Sequence, residues 1–179
     1  MQNATKTHAK RIITEIIRQS PGDRLEGKVR LFKAFYLAHL FYAGENADYL
    51  TEWPIVRMPN GPGIDRFDEL MEELKAASLI EEESTKIGPF NAKCFRFSSQ
   101  QTERLPAAEE SAVRRAVEFI DGMTGSQLSD ITHEYSKSWR DTQDGSELNI
   151  YLDLLDETEY EKVQSERRET ESAFKEAWV

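Results

Sequence analysis

The sequence predicts a mainly α (α+β) fold: a compact helical domain with a small β-hairpin wing in a winged-helix-like arrangement, plus a C-terminal helix. Segments with apolar residues at helical spacing cover most of the 179 residues. A glycine–proline turn separates two of these segments, and short apolar stretches that follow predict two strands. Helix, turn, helix and hairpin, in that order, is the layout of a winged-helix unit.

The first two helices are predicted by their apolar periodicity. A stripe of isoleucines at helical spacing marks residues 9–19, and Pro21-Gly22 ends that helix. Residues 25–43 are apolar on nearly all sides, which is typical of a central helix buried by several neighbours, and Gly44 ends it. The isoleucine stripe consists of Ile12, Ile13, Ile16 and Ile17.

The middle of the chain predicts an extended segment, a turn and a third helix. Residues 50–58 are extended, and the glycines and prolines of residues 59–63 predict a tight turn. This turn is expected to open directly into an amphipathic helix over residues 64–77. Leu79-Ile80 and residues 94–98 then predict a two-stranded hairpin with a long irregular connection.

The remaining residues predict two helices and a polar tail. Residues 107–121 have a regular apolar face, and Thr124 with Gln127 fits a capping box at the start of the next helix. From Glu147 onward the chain is expected to be helical and becomes very polar, so the tail is either solvated or docked. The sequence therefore predicts one domain over residues 1–140 and an acidic helical extension over residues 141–179.

The net charge disfavours anionic partners. The chain has 23 Lys+Arg against 33 Asp+Glu, a net charge of −10, which repels nucleic acid and anionic membrane surfaces. The charge is uneven, because residues 1–33 carry eight basic and three acidic side chains whereas residues 141–179 carry four basic and twelve acidic ones. Such polarity can steer a partner, although solvated helix faces are the simpler explanation.

The sequence indicates a cytoplasmic protein. Its single cysteine, Cys94, forms no intrachain disulfide, so nothing indicates an oxidising compartment. Glu15 and Arg18 interrupt the first apolar stretch, which therefore does not resemble a secretory signal. No apolar run is long enough to span a bilayer, so we expect no membrane contact.

The motifs of enzymes and cofactor sites are missing from the sequence. Gly61-Pro62-Gly63 lacks the following Lys-Ser/Thr of a phosphate loop, and no HExxH, CxxC or GxSxG motif occurs. We therefore expect no catalytic residue, no metal and no cofactor. Arg57 and Arg66 flank the turn and could hold an anion, but two arginines are a weak signal.

The three histidines differ in their expected roles. His8 lies in a segment expected to fray, and His39 lies on the apolar face of the central helix, where a hydrogen-bonded core role is favoured. His133 has Glu134 beside it and Trp139 nearby. It either belongs to a structural pair that holds the Trp139 loop or does acid–base work, and the structural role is favoured.

The order of motifs resembles a known family. Residues 31–39 are similar to a helix written LxKLLYFADxxH; an extended segment, the Gly61-Pro62 turn, a helix ending at residues 78–80 and an LSxxxH…W element at residues 128–139 follow. This order, over roughly residues 10–140, is that of the SocA-like antitoxin or Panacea domain family (formerly DUF4065, phage-associated GepA-like proteins). The chain departs from the family pattern at Ala34-Phe35, Asn60 and Ser78, which marks a divergent member.

The resemblance implies a non-enzymatic protein-binding module. Members of the family act as antitoxins that neutralise toxins encoded beside them by direct complex formation, and one type is an adaptor that delivers its toxin to a AAA+ protease. A cognate toxin is therefore the expected partner, and an acidic antitoxin suits a basic, nucleic-acid-binding toxin. The candidate contact residues, chosen because no internal role is evident for them, are Trp53, Arg57, Asn60, Gly61, Pro62, His133 and Trp139.

Two other functions stay open at the level of the sequence. A winged-helix DNA-binding transcriptional regulator fits the order of elements, but its recognition helix over residues 64–77 would be rich in carboxylates. A hydrolase that uses His133 ranks last, because no nucleophile or metal-ligand set accompanies it. Whether the chain forms a homodimer is left open.

Overall fold

A computed structural model describes residues 2–98 and 103–177 as a helical body with a three-stranded sheet and a separate two-stranded hairpin. The helices are α1 (Gln2–Gln19), α2 (Lys28–Ala43), α3 (Phe67–Ala76), α4 (Ala107–Ile120), α5 (Gly125–Tyr135), α6 (Lys137–Asp141) and α7 (Glu157–Ala177). The strands are β1 (Arg24–Glu26), β2 (Ile55–Met58), β3 (Gly61–Ile64), β4 (Ile80–Ile87) and β5 (Phe90–Phe97). The predicted mainly α (α+β) class is confirmed.

The predicted winged-helix-like arrangement is also confirmed. The larger sheet has the strand order β1-β5-β4, so the short strand after α1 pairs with the hairpin that follows α3. We call the β4–β5 hairpin the wing. The smaller hairpin, β2–β3, is inserted between α2 and α3.

Helix α2 occupies the centre of the core, as its apolar surface predicts. It packs against α1, α4, α5, β1 and β3, and Leu31, Ala34 and Phe35 are fully buried. The four isoleucines of the α1 stripe are fully buried as well. Each aliphatic side chain buried in this way stabilises the fold by about 1.5–3 kcal/mol.

The predicted long connection in the wing is wrong. Strands β4 and β5 pair along their whole length, from Ile80 opposite Phe97 to Ile87 opposite Phe90, and Gly88-Pro89 forms the turn. Most side chains from Glu81 to Lys86 are exposed or only partly buried. Neither face of the hairpin is fully buried away from its base. Its strands therefore lack the alternation of apolar and polar residues by which a strand is recognised in a sequence.

The prediction that the turn opens directly into a helix is also wrong. Residues Gly61–Ile64 form β3, and helix α3 begins only at Phe67, after Arg66 in a left-handed conformation. Pro62 is tolerated in this strand because the carbonyl of Arg57 opposite it accepts a hydrogen bond from the Gly145 N–H at 2.9 Å, so no N–H is needed at residue 62.

The tail is not helical from Glu147. Residues 145–148 run beside β2, with the Leu148 N–H donating to the Ile55 carbonyl at 2.8 Å, and a 3-10 helix follows over Ile150–Leu154. Leu148 and Ile150 enter the core from the extended segment and the start of the 3-10 helix. Helix α7 follows, and almost all of its described side chains are exposed.

Two further observations concern the termini and the membrane. His8 is ordered within α1 rather than frayed, and its Nε2 lies 3.1 Å from the Glu109 carboxylate of α4. Among the described residues, no helix combines the length and apolarity needed to cross a bilayer.

Candidate functional site

Six of the seven candidate residues come together where hairpin β2–β3 meets helices α5 and α6. The side chains of Arg57 and His133 both contact the indole ring of Trp139, and we call these three residues the Trp139 cluster. The residues Asn60-Gly61-Pro62, called the GP turn, lie beside them and contact α5. Trp53 is the exception and lies elsewhere.

Trp139 is positioned by the break between α5 and α6. Ser136 ends α5 and caps α6, where its hydroxyl accepts a hydrogen bond from the Trp139 N–H at 3.1 Å. The indole Nε1 donates to the Met58 carbonyl at 2.9 Å. The imidazole of His133 stacks on the indole, and the guanidinium carbon of Arg57 lies 4.3 Å from its ring centroid. The partly exposed indole is thus held on several sides.

Arg57 fixes the loop that follows Trp139. Its Nη1 donates to the carbonyls of Trp139 at 3.0 Å and Thr142 at 2.6 Å, and its Nε lies 2.8 Å from the Asp144 carboxylate. Arg66, the other arginine considered for anion binding, lies over the Trp53 ring and pairs with Asp65. Both guanidinium groups are therefore engaged within the chain, and the arrangement does not favour a free anion site.

The GP turn is held from beneath by a buried lysine. Lys33 of α2 is 1% exposed, and its Nζ donates to the Asn60 carbonyl at 2.5 Å and the Pro62 carbonyl at 3.3 Å. The Ser129 hydroxyl of α5 donates to the same Asn60 carbonyl at 3.0 Å. Burial lowers the pKa of the Lys33 ammonium from 10.5 to about 7.

Gly61 has no room for a side chain. Its φ is 97°, a left-handed value that favours glycine. A Cβ at this position would lie 2.3 Å from the Lys33 Nζ and 2.5 Å from the Thr132 hydroxyl. The glycine therefore allows the turn to sit directly on α2 and α5, while the neighbouring Asn60 remains exposed.

Trp53 serves the core in this structure. It is 3% exposed, and its Nε1 donates to the Asp65 carbonyl at 2.8 Å. Arg66 covers its ring. Little of the indole remains for a partner to contact.

His39, His133 and Cys94, the other residues considered from the sequence, are each buried or held within the fold. His39 is fully buried between the carbonyls of Phe35 (2.9 Å) and Thr51 (3.3 Å), so the predicted core role is confirmed, and burial lowers its pKa to about 4. His133 holds Trp139 by stacking rather than through Glu134, which is exposed. Burial raises the pKa of the Cys94 thiol in β5.

A groove of about 860 Å³ borders the GP turn and His133. We call it the wing groove, because the tip of the wing forms one wall, and the starts of α2 and α5 form the others. Phe90 at the tip is 73% exposed, and the neighbouring Ile87 is also exposed. Exposed apolar side chains that line a groove are typical of a protein-binding surface.

Sequence reasoning missed two polar residues that organise this region. One is Lys33. The other is Asp153, whose Oδ2 accepts hydrogen bonds from Tyr36 at 2.7 Å, Ser138 at 2.6 Å and Ser136 at 3.0 Å. Each could have been noticed in the sequence as a charged residue within a mainly apolar stretch. Lys33 lies within residues 31–40, and Asp153 lies within residues 148–155.

The helix that would read DNA in a winged-helix protein is acidic. Asp68, Glu69 and Glu72 of α3 are exposed, so this surface carries carboxylates. Carboxylates repel the phosphate backbone.

Among the described residues, no three His, Cys, Asp or Glu side chains converge as a metal site.

Comparison with known proteins identifies one family. The family model "Antitoxin SocA-like, Panacea domain" matches residues 31–140, a range that includes the Trp139 cluster, the GP turn and Lys33. No curated protein and no solved structure matches the chain significantly.

Proposed function

The chain belongs to the SocA-like antitoxin (Panacea domain) family, and on that premise we propose that it is a non-enzymatic antitoxin that neutralises a toxin protein by binding it directly. The observation that carries the proposal is the Trp139 cluster: a partly exposed indole, fixed by Arg57 and His133, beside an apolar groove. Tryptophan and arginine are over-represented among the residues that dominate binding energy at protein interfaces.

The proposed binding face consists of the Trp139 cluster, the exposed Asn60 of the GP turn and the wing groove. Its aromatic and apolar groups, Trp139 and Phe90, would enter pockets of the toxin, while the surrounding polar groups form the rim. Internal hydrogen bonds hold the cluster and the turn in place before binding. A preorganised surface loses less conformational entropy on association, which favours high affinity.

The partner is proposed to be a basic, nucleic-acid-binding toxin in the cytoplasm. The net charge of −10 attracts a basic protein and raises the rate of encounter. The negative charge also keeps the chain away from the nucleic acid that such a toxin binds. Neutralisation occurs either by covering the active surface of the toxin or by delivering the toxin to a AAA+ protease.

A capture experiment tests the proposal. The tagged chain is purified from its native host and bound proteins are identified by mass spectrometry, in parallel with Trp139→Ala and with Phe174→Ala. Phe174 is an exposed aromatic residue on α7, outside the proposed face, and so provides a matched control. We expect one small protein to co-purify stoichiometrically with the wild type and the control, and to be lost with Trp139→Ala.

The captured protein is then expressed alone and together with the chain. We expect growth arrest in the first case and growth in the second. Repeating the co-expression in strains that lack individual AAA+ proteases separates the two routes, because blocking persists without the protease and delivery does not. If the chain purifies alone, or if the captured protein is harmless, the antitoxin function is contradicted.

A further inference from the structure

Lys33 connects the centre of the core to the proposed binding face. We infer that Lys33 is a positioning residue: from helix α2 it holds the GP turn in the shape that the partner recognises, and the protonation of its amine sets how firmly the turn is held. The inference rests on the proposed function, because it assumes that the partner contacts the GP turn.

Lys33 is buried without a counter-ion among the described residues. Lys33 is almost completely buried, yet in residues 2–98 and 103–177 it forms no ion pair with a carboxylate. Its hydrogen-bond acceptors are the two main-chain carbonyls of Asn60 and Pro62. Burying a lysine without a carboxylate is costly, and a plain apolar residue would fill the same space more cheaply. The contact with the turn is what the amine adds.

The GP turn lies directly on the Lys33 amine. Pro62 has no N–H, and the backbone N–H and carbonyl of Arg57 opposite it bond to Ser146 and Gly145 instead, so this pair adds no hydrogen bond to the hairpin next to the closing pair of Met58 and Gly61. Gly61 approaches so closely that a Cβ would lie 2.3 Å from the Lys33 Nζ. The carbonyl of the exposed Asn60 accepts hydrogen bonds from the side chains of Lys33 and Ser129, and these bonds hold the turn against α2 and α5.

The charge of Lys33 changes near neutral pH, because burial lowers the pKa of its amine to about 7. Hairpin β2–β3 presents carbonyls to the amine, and α5 presents the hydroxyls of Ser129 and Thr132. The other charged or titratable side chains on α2, on β2–β3 and on α5 do not form an ion pair with Lys33; they are Lys28, Arg30, Tyr36, His39, Tyr42, Arg57, Asp130, His133, Glu134 and Tyr135. The pKa of about 7 is thus set by burial. The ammonium form makes stronger, charge-assisted hydrogen bonds to the carbonyls than the neutral amine does.

The test compares the wild type with Lys33→Met and Ser129→Ala in the full chain. Lys33→Met keeps the length of the side chain and removes the amine, whereas Ser129→Ala removes the other donor to the Asn60 carbonyl without changing charge. The first measurement needs no partner: hydrogen exchange of the Asn60 and Gly61 amides, corrected for the intrinsic pH dependence of exchange. We expect protection in the wild type to fall between pH 6 and 8.5 and to be low and flat in Lys33→Met. In Ser129→Ala, which keeps the lysine, we expect protection to be lower than in the wild type but still to fall over the same pH range.

The second measurement is the affinity for the captured toxin, by calorimetry over the same pH range. We expect Lys33→Met to weaken binding about tenfold or more at pH 6, a loss of the size seen for important interface residues, while its melting temperature is unchanged or higher. The ratio of wild-type to Lys33→Met affinity should fall as the pH rises to 8.5. A purely structural lysine would instead lower the melting temperature and leave this ratio constant.

The two measurements distinguish failure of the positioning role of Lys33 from failure of the proposed antitoxin function. Equal binding by the wild type and Lys33→Met at every pH overturns the positioning role and leaves the antitoxin function intact. Turn protection that depends on Lys33, with no toxin found, contradicts the antitoxin function while the hold on the turn stands. Identical protection in both chains overturns the inference outright.

Discussion

The imidazole of His133 stacks on the indole of Trp139, with ring centroids 4.1 Å apart and an angle of 16° between the planes. The stack joins α5 to α6 across the break at Ser136. The Nε2 of His133 is buried and has no hydrogen-bond partner, so in this structure the ring is held by stacking. A change at Trp139 therefore reaches α5 through His133 and the β2 strand through Arg57.

Two replacements of Trp139 should distinguish the stability contributed by its indole hydrogen bond from that contributed by the packing of its ring. Trp139→Phe keeps an aromatic face for His133 and Arg57 but loses the bond to the Met58 carbonyl, so we expect a loss of about 1 kcal/mol in the free energy of unfolding. Trp139→Ala also loses the packing, and we expect a loss of about 2–3 kcal/mol because the indole is only partly buried. Urea unfolding measures both. Equal losses would show that the stack contributes nothing.

The clamp made by Arg57 should not survive replacement by lysine. Lysine cannot present a planar fork to the carbonyls of Trp139 and Thr142 and the carboxylate of Asp144, so we expect Arg57→Lys to cost about 1–3 kcal/mol. Limited proteolysis should then cut the loop over residues 140–146 faster. Arg140→Lys makes the same exchange at an exposed side chain and should change neither quantity. Matching cleavage rates in the two variants would contradict the clamp.

Two glycine replacements distinguish steric exclusion from backbone conformation. Both Gly61 and Gly122 have positive φ, 97° and 71°. A Cβ at Gly122 would meet nothing within 4 Å, whereas at Gly61 it would strike Lys33 and Thr132. We expect Gly122→Ala to cost about 1 kcal/mol from φ alone and Gly61→Ala to cost at least about 2 kcal/mol more. Thermal unfolding of the pair provides the comparison, and similar melting temperatures would refute the close approach.

The buried His39 predicts a loss of stability in mild acid. Its pKa is about 4 in the folded chain and about 6.5 in the unfolded chain, so between these values the unfolded state binds more protons. Stability therefore falls as the pH decreases from 6.5 to 4, by up to about 3 kcal/mol. We expect the difference in unfolding free energy between the wild type and His39→Gln to change by this amount over the window. A constant difference would mean that His39 does not titrate in this way.

Two truncations test where the folded unit ends. Helix α7 is mostly exposed, and its side-chain contacts with the rest of the chain include those of Tyr160 and Gln164 with Asp141. Removing residues 157–179 should change the unfolding free energy by less than about 1 kcal/mol. Removing residues 142–179 takes away the buried Leu148 and Ile150 and leaves the partners of Asp153 unsatisfied, so we expect a loss of several kcal/mol or no folded product. Circular dichroism melts decide between these results.

The helices of this fold were predictable because their signals are local. The stripe of α1, the apolar surface of α2 and the capping box of Thr124 with Gln127 all appear where the sequence places them. The full length of the wing was not predictable, because its outer strand residues are mostly exposed on both faces and show no alternation of apolar and polar side chains. Strand β1 is only three residues long and gives no periodic signal at all.

The candidate site was predictable in part. Arg57, His133 and Trp139 were predicted as contact residues because no internal role was evident for them, and the structure places the first two against the indole of the third. The role of Lys33 was not visible, since its carbonyl acceptors lie about thirty residues away and no carboxylate pairs with it. The burial of Trp53 depends on the carbonyl of Asp65 and on Arg66, two contacts that arise only in the tertiary structure.

The wrapping of residues 139–148 around Arg57 has a consequence for the timing of synthesis. The loop carbonyls and Asp144 lie more than eighty residues after Arg57, and Asp153 is 117 residues after Tyr36. Strand β2 and helix α2 therefore leave the ribosome long before the residues that close the face around them. A nascent chain stopped before residue 139 lacks Trp139, so the proposed binding face is complete only after residues 139–148 have been synthesised.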